Sequence, residues 1–511
     1  MPSSDPKRVA PTSRRVAPDG APSHRPSHNG RRTKIVATIG PASRSPEVLR
    51  ELLEAGVDVF RLNFAHGTAD EHAEVIHRIR SAAEDAGREV GILGDLPGPK
   101  LRLGDIEGGV AVLHSGSTIL MRGEPATTAP TNTGAGQTGN PELLTVQWDG
   151  FAKAVSEGDP VFLADGRVRL RVASVSGGDV TCEVEAGGAV SSHQGLNLPG
   201  ADTDLPETGA SDQPWIDFAC EHGIDLLAVS FVRRPSDLEK VAARIRERGS
   251  DIPLIAKIEK PQAAERAEEI IEAAGSGIMI ARGDLGVELP IEEVPGAQKR
   301  LIALAGRASK PAITATQMLA TMVRASRPTR AEVTDVANAI YDGTDAVMLS
   351  EETAIGDYPV EAVRVMDRIA RVTEPRLKFG EMVFTRVEEK ENDVAETVAQ
   401  VTVAACYRLG LKAIVCPTSS GRTARLISAH RPRVPVLAVS PRLETVRRMN
   451  LLFGISSTQA EDWTSIRKLL DDCAALARDW GIAESGDLVA ITAGLPAQGV
   501  GTNLFEIHRV P

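Results

Sequence analysis

A chain of 511 residues is longer than one hydrophobic core comfortably serves, so roughly two to four domains are expected. Its apolar content of 42% and charged content of 25% are ordinary for a globular protein, and a formal net charge of −11 argues against nucleic acid as a partner. No stretch of about 18 consecutive apolar residues occurs, so no membrane-spanning helix is expected.

The charge is unevenly spread. Residues 1–32 carry seven Lys/Arg against two Asp/Glu, a balance of +5 that leaves −16 for the remainder. This head is rich in Pro, Ser and Arg and has no periodicity, so it reads as a disordered basic tail. It lacks the apolar segment of a secretory signal. The five cysteines (Cys182, Cys220, Cys406, Cys416, Cys473) are scattered, odd in number and never spaced as CxxC. Neither a disulfide framework nor a zinc site is expected, and a reducing, cytoplasmic setting fits.

After the tail, Lys34–Ile39 reads as a strand. Ser45 and Pro46 then look like a cap and first position of a helix striped by Leu49, Leu52 and Leu53, with Gly56 as its stop. Val57–Leu62 and Val90–Asp95 are the next strands, each delivering polar groups at its end: Arg61, Asn63 and His66 after one, and Leu96 to Arg102 after the other. From Leu103 to Gln194 the chain turns rich in Gly, Thr and Val with short alternating runs, the pattern of a small all-β insertion. The strand–helix alternation resumes with Ile224–Ser230 and a helix expected to be capped by Ser236. It continues through Leu254–Ile258, Gly277–Ala281, Pro311–Thr316, a capping box at Thr329 and Glu332, and Ala346–Leu349. Eight candidate strands alternating with helices predict a closed (β/α)8 barrel, a TIM barrel, interrupted after its third strand. From about Glu374 a second, smaller α/β domain with a mostly parallel sheet begins.

Strands five and six carry the strongest chemistry. Lys257 and Glu259 are two residues apart, so on a strand they point the same way, and Asp284 sits just past the end of the next strand. Neighbouring strands lie about 4.8 Å apart. One Mg2+, with bonds of about 2.1 Å, would then reach both carboxylates. An ammonium beside a divalent cation is a place for phosphate.

The runs KIVATIGPAS, RLNFAHG, DLPGPKLR, LNLPG, SFVR, KIEKP, MIARGDLGVELP, TATQML, RPTRAEVTDVANAI and MLSEETAIGDYPVEAV, in this order over about residues 33–510, resemble those of the pyruvate kinases. The resemblance implies phosphoryl transfer from phosphoenolpyruvate to ADP, giving pyruvate and ATP. It implies a catalytic barrel (33–102 and 195–373), a small β-barrel lid (103–194), a C-terminal regulatory domain (374–511) and a homotetramer. By the family pattern Glu259 and Asp284 hold Mg2+, with Mn2+ as an alternative, and Lys257 stabilises the phosphoryl in flight. Arg61 grips that phosphate, Gly283 and Asp284 offer backbone N–H groups to the substrate carboxylate, and Thr316 stands where enolpyruvate is protonated. Ser350 and Glu352 would extend this proton relay, with Glu351 where the family often has Gly. Asn63, His66 and Arg102 resemble nucleotide contacts.

The sequence also departs from the family. Many members hold potassium with an Asn, a Ser, an Asp and a backbone carbonyl. Here Asn63, Asp95 and the Leu96 carbonyl match, but the Ser position is Ala65, and Lys100 replaces a Glu. A fixed ammonium in place of the monovalent cation implies that K+ is not required. Gln194 stands where the family commonly has a Lys that reaches ATP. The loop Thr418, Ser419, Ser420, Gly421, Arg422, Thr423 precedes an expected helix and, by the family pattern, binds a phosphorylated allosteric effector. Gly494–Gly501 would cover that loop. A metabolite-sensing protein that keeps the barrel without catalysis is the alternative, but Lys257, Glu259, Asp284 and Thr316 are all present. A phosphoenolpyruvate-utilising synthase or mutase would lack both the insertion and the RPTRAEVTDVANA run.

Overall fold

The computed structural model describes residues 30–124, 143–164, 166–199, 212–385, 393–463, 465–494 and 501–511. Most of the basic head, and all but the two ends of the Gly494–Gly501 cover, lie outside these. Eight parallel strands close a barrel: β1 Lys34–Thr38, β2 Val59–Asn63, β3 Gly91–Asp95, β4 Leu226–Val229, β5 Leu254–Ile258, β6 Ile278–Ala281, β7 Ala312–Ala315 and β8 Ala346–Leu349. Each pairs with its sequence neighbour, and β8 returns to β1 with Ala346 opposite Lys34. These strands are buried on both faces, which is why they read as continuous apolar runs.

The helix signals around the barrel act as written, with one exception. Ser45 caps Pro46–Ala55, Gly56 ends it at φ 107°, and Thr329 with Glu332 forms a complete capping box on Arg330–Asp342. The helix expected to start at Ser236 instead begins at Pro235, after Arg234, because the fixed φ of proline suits the first helical position.

The insertion is a small β-barrel. Its strands run in the order Leu101–Arg102, Gly195–Asn197, Pro160–Leu163, Val168–Ser176, Asp179–Ala186, Thr118–Gly123 and Leu143–Val146, and a bridge from Leu103 to Val146 joins the two ends. The two connecting segments, placed on the catalytic-barrel side by composition, pair with each other (Arg102 with Gly195, Leu101 with Leu196) and belong to this sheet.

Below the barrel lies a five-stranded sheet, ordered Ile455–Gln459 (β11), Val436–Ser440 (β10), Ile414–Pro417 (β9), Leu488–Ala493 (β12) and Leu504–Arg509 (β13), with only β13 antiparallel. This domain closes the barrel's floor. Leu451 joins the cluster formed by the inward-facing residues Val36, Val59, Leu93, Leu226 and Ala346. Arg431, 1% exposed, pairs with Asp345 at the root of β8 at 2.8 Å and lies over the Phe453 ring at 4.1 Å.

The tail boundary needs correcting. Arg31 is buried and binds Asp58 (3.1 Å) and Asp367 (2.8 Å), while the backbone N–H of Arg32 donates to Glu374. The folded body therefore includes these two arginines, which composition assigned to the head. No helix among the described residues is long and apolar enough to cross a membrane, and all five cysteines are free.

Removing one partner of a buried ion pair leaves an uncompensated charge and typically costs about 3–5 kcal/mol. Arg431→Ala should therefore lower the thermal unfolding midpoint clearly, whereas Arg442→Ala, outside any such pair, should not. Equal midpoints would show that the Arg431–Asp345 pair does not hold the floor.

Candidate active site

The C-terminal ends of β2 to β8 bring the chemistry-bearing residues together, as parallel barrels do. Register places Asn63 opposite Asp95, and Ala228 also opposite Asp95. Lys257, on β5, is the centre. Its Nζ lies 2.7 Å from Glu259 Oε1 and 3.2 Å from Asp95 Oδ1, and donates to Ser230 Oγ at 2.7 Å. Burial alone would lower the pKa of this ammonium, but the Asp95 and Glu259 carboxylates outweigh it and hold the group above the usual lysine value. Lys257 is thus a permanent cation in a site where water screens little.

Asp95 also receives Arg61 Nε at 2.7 Å, and Arg61 donates from Nη1 to Thr38 Oγ1 at 2.9 Å. Burial pushes the Asp95 carboxyl up, and the Arg61 and Lys257 cations more than reverse that, so it is ionised. Glu259 is held differently. Burial raises its pKa, Lys257 pulls the other way, and the nearby Asp284 charge raises it again. Its Oε2 accepts the N–H of Phe231 at 2.7 Å, while Oε1 has the Lys257 ion contact but no well-directed hydrogen bond. Among the described residues the Asp284 carboxylate makes no hydrogen bond or ion pair.

These two carboxylates fit a divalent cation. They are hard oxygen donors, they repel each other, and one keeps a buried oxygen with no well-directed hydrogen bond. No group of three or more His, Cys, Asp or Glu suited to a metal exists among the described residues. A hard divalent cation held by two carboxylates would complete its shell with other oxygens.

Thr316 follows β7 with φ 67°, and Gln317 follows with φ 54°. A β-branched residue in the left-handed region is a true outlier and costs on the order of 1–3 kcal/mol. The Thr316 hydroxyl accepts the Gly283 N–H at 2.7 Å and donates to the Ala315 carbonyl at 2.6 Å. A Cβ on Gly283 would stand 3.3 Å from that hydroxyl oxygen, so glycine permits the approach. The Gly283 N–H, expected to face a substrate carboxylate, is thus engaged by Thr316.

The other expected site residues have the following partners within the protein. Glu352 accepts the N–H groups of Leu319 (3.0 Å) and Ser350 (2.8 Å), so it clamps the loops after β7 and β8, and Ser350 Oγ is buried without a partner. Neither residue bonds to Thr316. Asp95 has Arg61, Lys257 and Ser230 as partners, and Lys100 is not among them. The Lys100 side chain packs instead beside Gly195 at the lid seam, in a cleft also lined by Leu196, Phe231, Arg233 and Lys260. The Leu96 carbonyl accepts the Ser230 hydroxyl at 2.7 Å. His66 is exposed at the end of β2, where its carbonyl accepts from His72, and Asn63 Oδ1 accepts the Ala65 N–H. Arg102 donates to the His193 carbonyl of the lid at 3.1 Å. Gln194 folds back onto Ser191 N–H.

In the C-terminal domain Thr418 Oγ1 accepts the Gly421 N–H (3.0 Å), and Ser420 Oγ accepts that of Arg422 (3.4 Å). The Ser419 carbonyl is held by Thr445, Arg422 pairs with Asp393, and Thr423 meets Thr502. Gly421, at φ 81°, allows the loop to turn into the helix Arg422–Ala429.

Three residues escape a reading of spacing alone. Ser230 orients Lys257. Asp212, fully buried, accepts the Gly98 N–H at 3.1 Å through one oxygen, leaves the other unpartnered, and has its pKa pushed up to about 6 by burial, with the Asp95 charge adding. Arg282 stands behind Thr316. Ser230 and Arg282 share one signal, a position directly after a strand, and Asp212 has none.

The match to known proteins covers both parts of this architecture. A family model described as pyruvate kinase, barrel domain, matches residues 30–363, and one described as pyruvate kinase, alpha/beta domain, matches 396–508. A pyruvate kinase from Bacillus licheniformis is 41% identical over 483 residues, covering 94% of this chain and 80% of that protein. One from Thermococcus litoralis is 41% identical over 494 residues, covering 95% and 99%. The crystal structure of a pyruvate kinase from Cryptosporidium parvum superposes with a TM-score of 0.87 at 34% identity, covering 94% of this chain and 97% of that one. Two family models in the right order and relatives matched nearly end to end leave one assignment: the chain belongs to the pyruvate kinase family.

Proposed function

We propose that the enzyme transfers the phosphoryl group of phosphoenolpyruvate to ADP with Mg2+, giving pyruvate and ATP, the last step of glycolysis, in the cytoplasm. The observation that carries this reading is the charged, buried Lys257 set between Asp95 and Glu259, beside Asp284. Phosphoryl transfer needs neutralised oxygens and a fixed line of attack more than covalent help. Lys257 and Arg61 supply fixed cations for the transferring phosphoryl. Glu259 and Asp284 would hold the Mg2+, which when bound neutralises oxygens of the phosphoryl and the substrate carboxylate. Thr316 would pass the proton that turns enolpyruvate into pyruvate, and the Asp284 N–H would meet the substrate carboxylate. Asn63, His66 and Arg102 would contact the nucleotide once the lid closes and excludes water.

Measuring pyruvate release from phosphoenolpyruvate with and without ADP tests this directly. Release that needs ADP is expected. Release without ADP would defeat the phosphotransfer reading, and no release at all would favour the metabolite-sensing alternative.

Activity should not need K+. Ala65 lacks the side-chain oxygen a cation would use, and Asp95 is already neutralised by Arg61 and Lys257. Lys100, carried at the lid hinge, would bring its charge over the site only as the lid moves. Rates in sodium and potassium buffers should agree within about twofold, since a fixed charge replaces the diffusible one. A many-fold stimulation by potassium would sink the idea.

Regulation is read from the Thr418–Thr423 cradle, suited to a phosphorylated activator. Homotetramer assembly is supported by exposed apolar residues, among them Val394, Val401 and Leu409 on one helix and Tyr341, Tyr358 and Val372 near the barrel's rim helices. Coupling between subunits would then link the cradle to the active site.

A further inference from the structure

Arg282 is bound by protein groups on several sides, and it grips the residue assigned to proton transfer. Its Nη2 donates to the Thr316 carbonyl at 2.9 Å, and Nε reaches the Ala315 carbonyl at 3.4 Å. Nη1 is fixed from behind by Asp335 at 2.7 Å and Gln298 at 3.2 Å. The next residue, Gly283, donates its N–H to the Thr316 hydroxyl. Two consecutive residues thus hold Thr316 from opposite ends, one by its carbonyl and one by its hydroxyl. Thr316 needs such a hold, because its left-handed φ of 67° is one a β-branched residue seldom adopts unaided.

We propose that Arg282 is a positioning residue for the proton-transfer half of the reaction, holding Thr316 in the strained conformation that keeps its hydroxyl beside Gly283 and Asp284. This rests on the reading of Thr316 as the group that passes the proton. Only a guanidinium fills the role. Its planar fork spans the Thr316 carbonyl, Asp335 and Gln298 together, whereas a lysine presents all its donors from one nitrogen.

The proton that enolpyruvate gains at its methylene carbon on becoming pyruvate is the one the reverse step removes. Exchange of pyruvate methyl protons with solvent deuterium, in the presence of Mg2+ and ATP, therefore reads this half alone. Arg282→Lys should slow exchange and kcat by ~10-fold or more, a modest share of what a positioned proton-transfer group contributes. The KM for phosphoenolpyruvate should stay within about twofold, as expected when no ground-state contact is lost. On a Thr316→Ala background Arg282→Lys should cost nothing further, since both changes disable one device.

Losses that multiply in the double variant would overturn the proposal, as would an Arg282→Lys enzyme with normal exchange. A fully active Thr316→Ala would instead overturn the proton-transfer reading of Thr316 itself, and this proposal with it. Should Arg282→Lys not fold, Asp335→Asn loosens the same guanidinium from behind. It should slow exchange in the same direction, and unchanged exchange would refute the role.

Discussion

Lys257→Met is expected to lower kcat by about 10²–10³-fold or more, the usual loss when one preorganised charge-stabilising donor is removed. The reason lies in its surroundings: the ammonium is buried, kept charged by Asp95 and Glu259, and oriented by Ser230. Removing it also leaves Glu259 buried beside Asp284 with no cation, so stability will fall too. Lys257→Arg separates the two effects. A guanidinium restores positive charge and much of the stability, but cannot place it at the point where Nζ lies 2.7 Å from both Glu259 and Ser230. Steady-state pyruvate release and thermal unfolding of both variants check this. A Met variant keeping about a tenth of the rate would show that Lys257 is chiefly a structural cation.

Glu259→Gln should be nearly as damaging, by a different route. The amide oxygen still accepts the Phe231 N–H, so the turn after β4 should hold. What disappears is a negative charge facing the proposed metal position. The Mg2+ concentration for half-maximal rate should rise by at least the ~10–100-fold that loss of an outer-shell partner costs. Lys257 keeps Asp95 at 3.2 Å and stays protonated, so the loss is not one of ammonium charge. Magnesium titration of the rate, with calorimetric Mg2+ binding beside it, decides the matter. An unchanged Mg2+ requirement would remove Glu259 from the metal site.

The barrel was legible because strands buried on both faces read as unbroken apolar runs, and caps such as Ser45 and Thr329 punctuate them. β11 (ISSTQ) went unread, since an edge strand made mostly of Ser, Thr and Gln looks like a loop. The same limit hid Arg31, whose neighbours in sequence are tail-like while its partners Asp58 and Asp367 lie far along the chain. At the site, Lys257, Glu259 and Asp284 announced themselves through spacing on adjacent strands. Ser230, Asp212 and Arg282 did not, because their value lies in what they hold, and spacing within one strand carries no trace of a contact between loops. Lys100 shows the converse: a charge change was plain in the sequence, but only three dimensions reveal that its side chain rests at the lid seam and not on Asp95.

The floor of the barrel carries a further meaning. Leu451 joins the apolar layer inside the eight strands, and Arg431 pairs with a carboxylate that the barrel buries. The barrel is therefore an incomplete folding unit. Without the C-terminal domain the barrel would lose the Leu451 side chain from its base and the Arg431 partner of Asp345. The C-terminal domain thus serves as part of the barrel's foundation, and exchanging it would mean rebuilding that base.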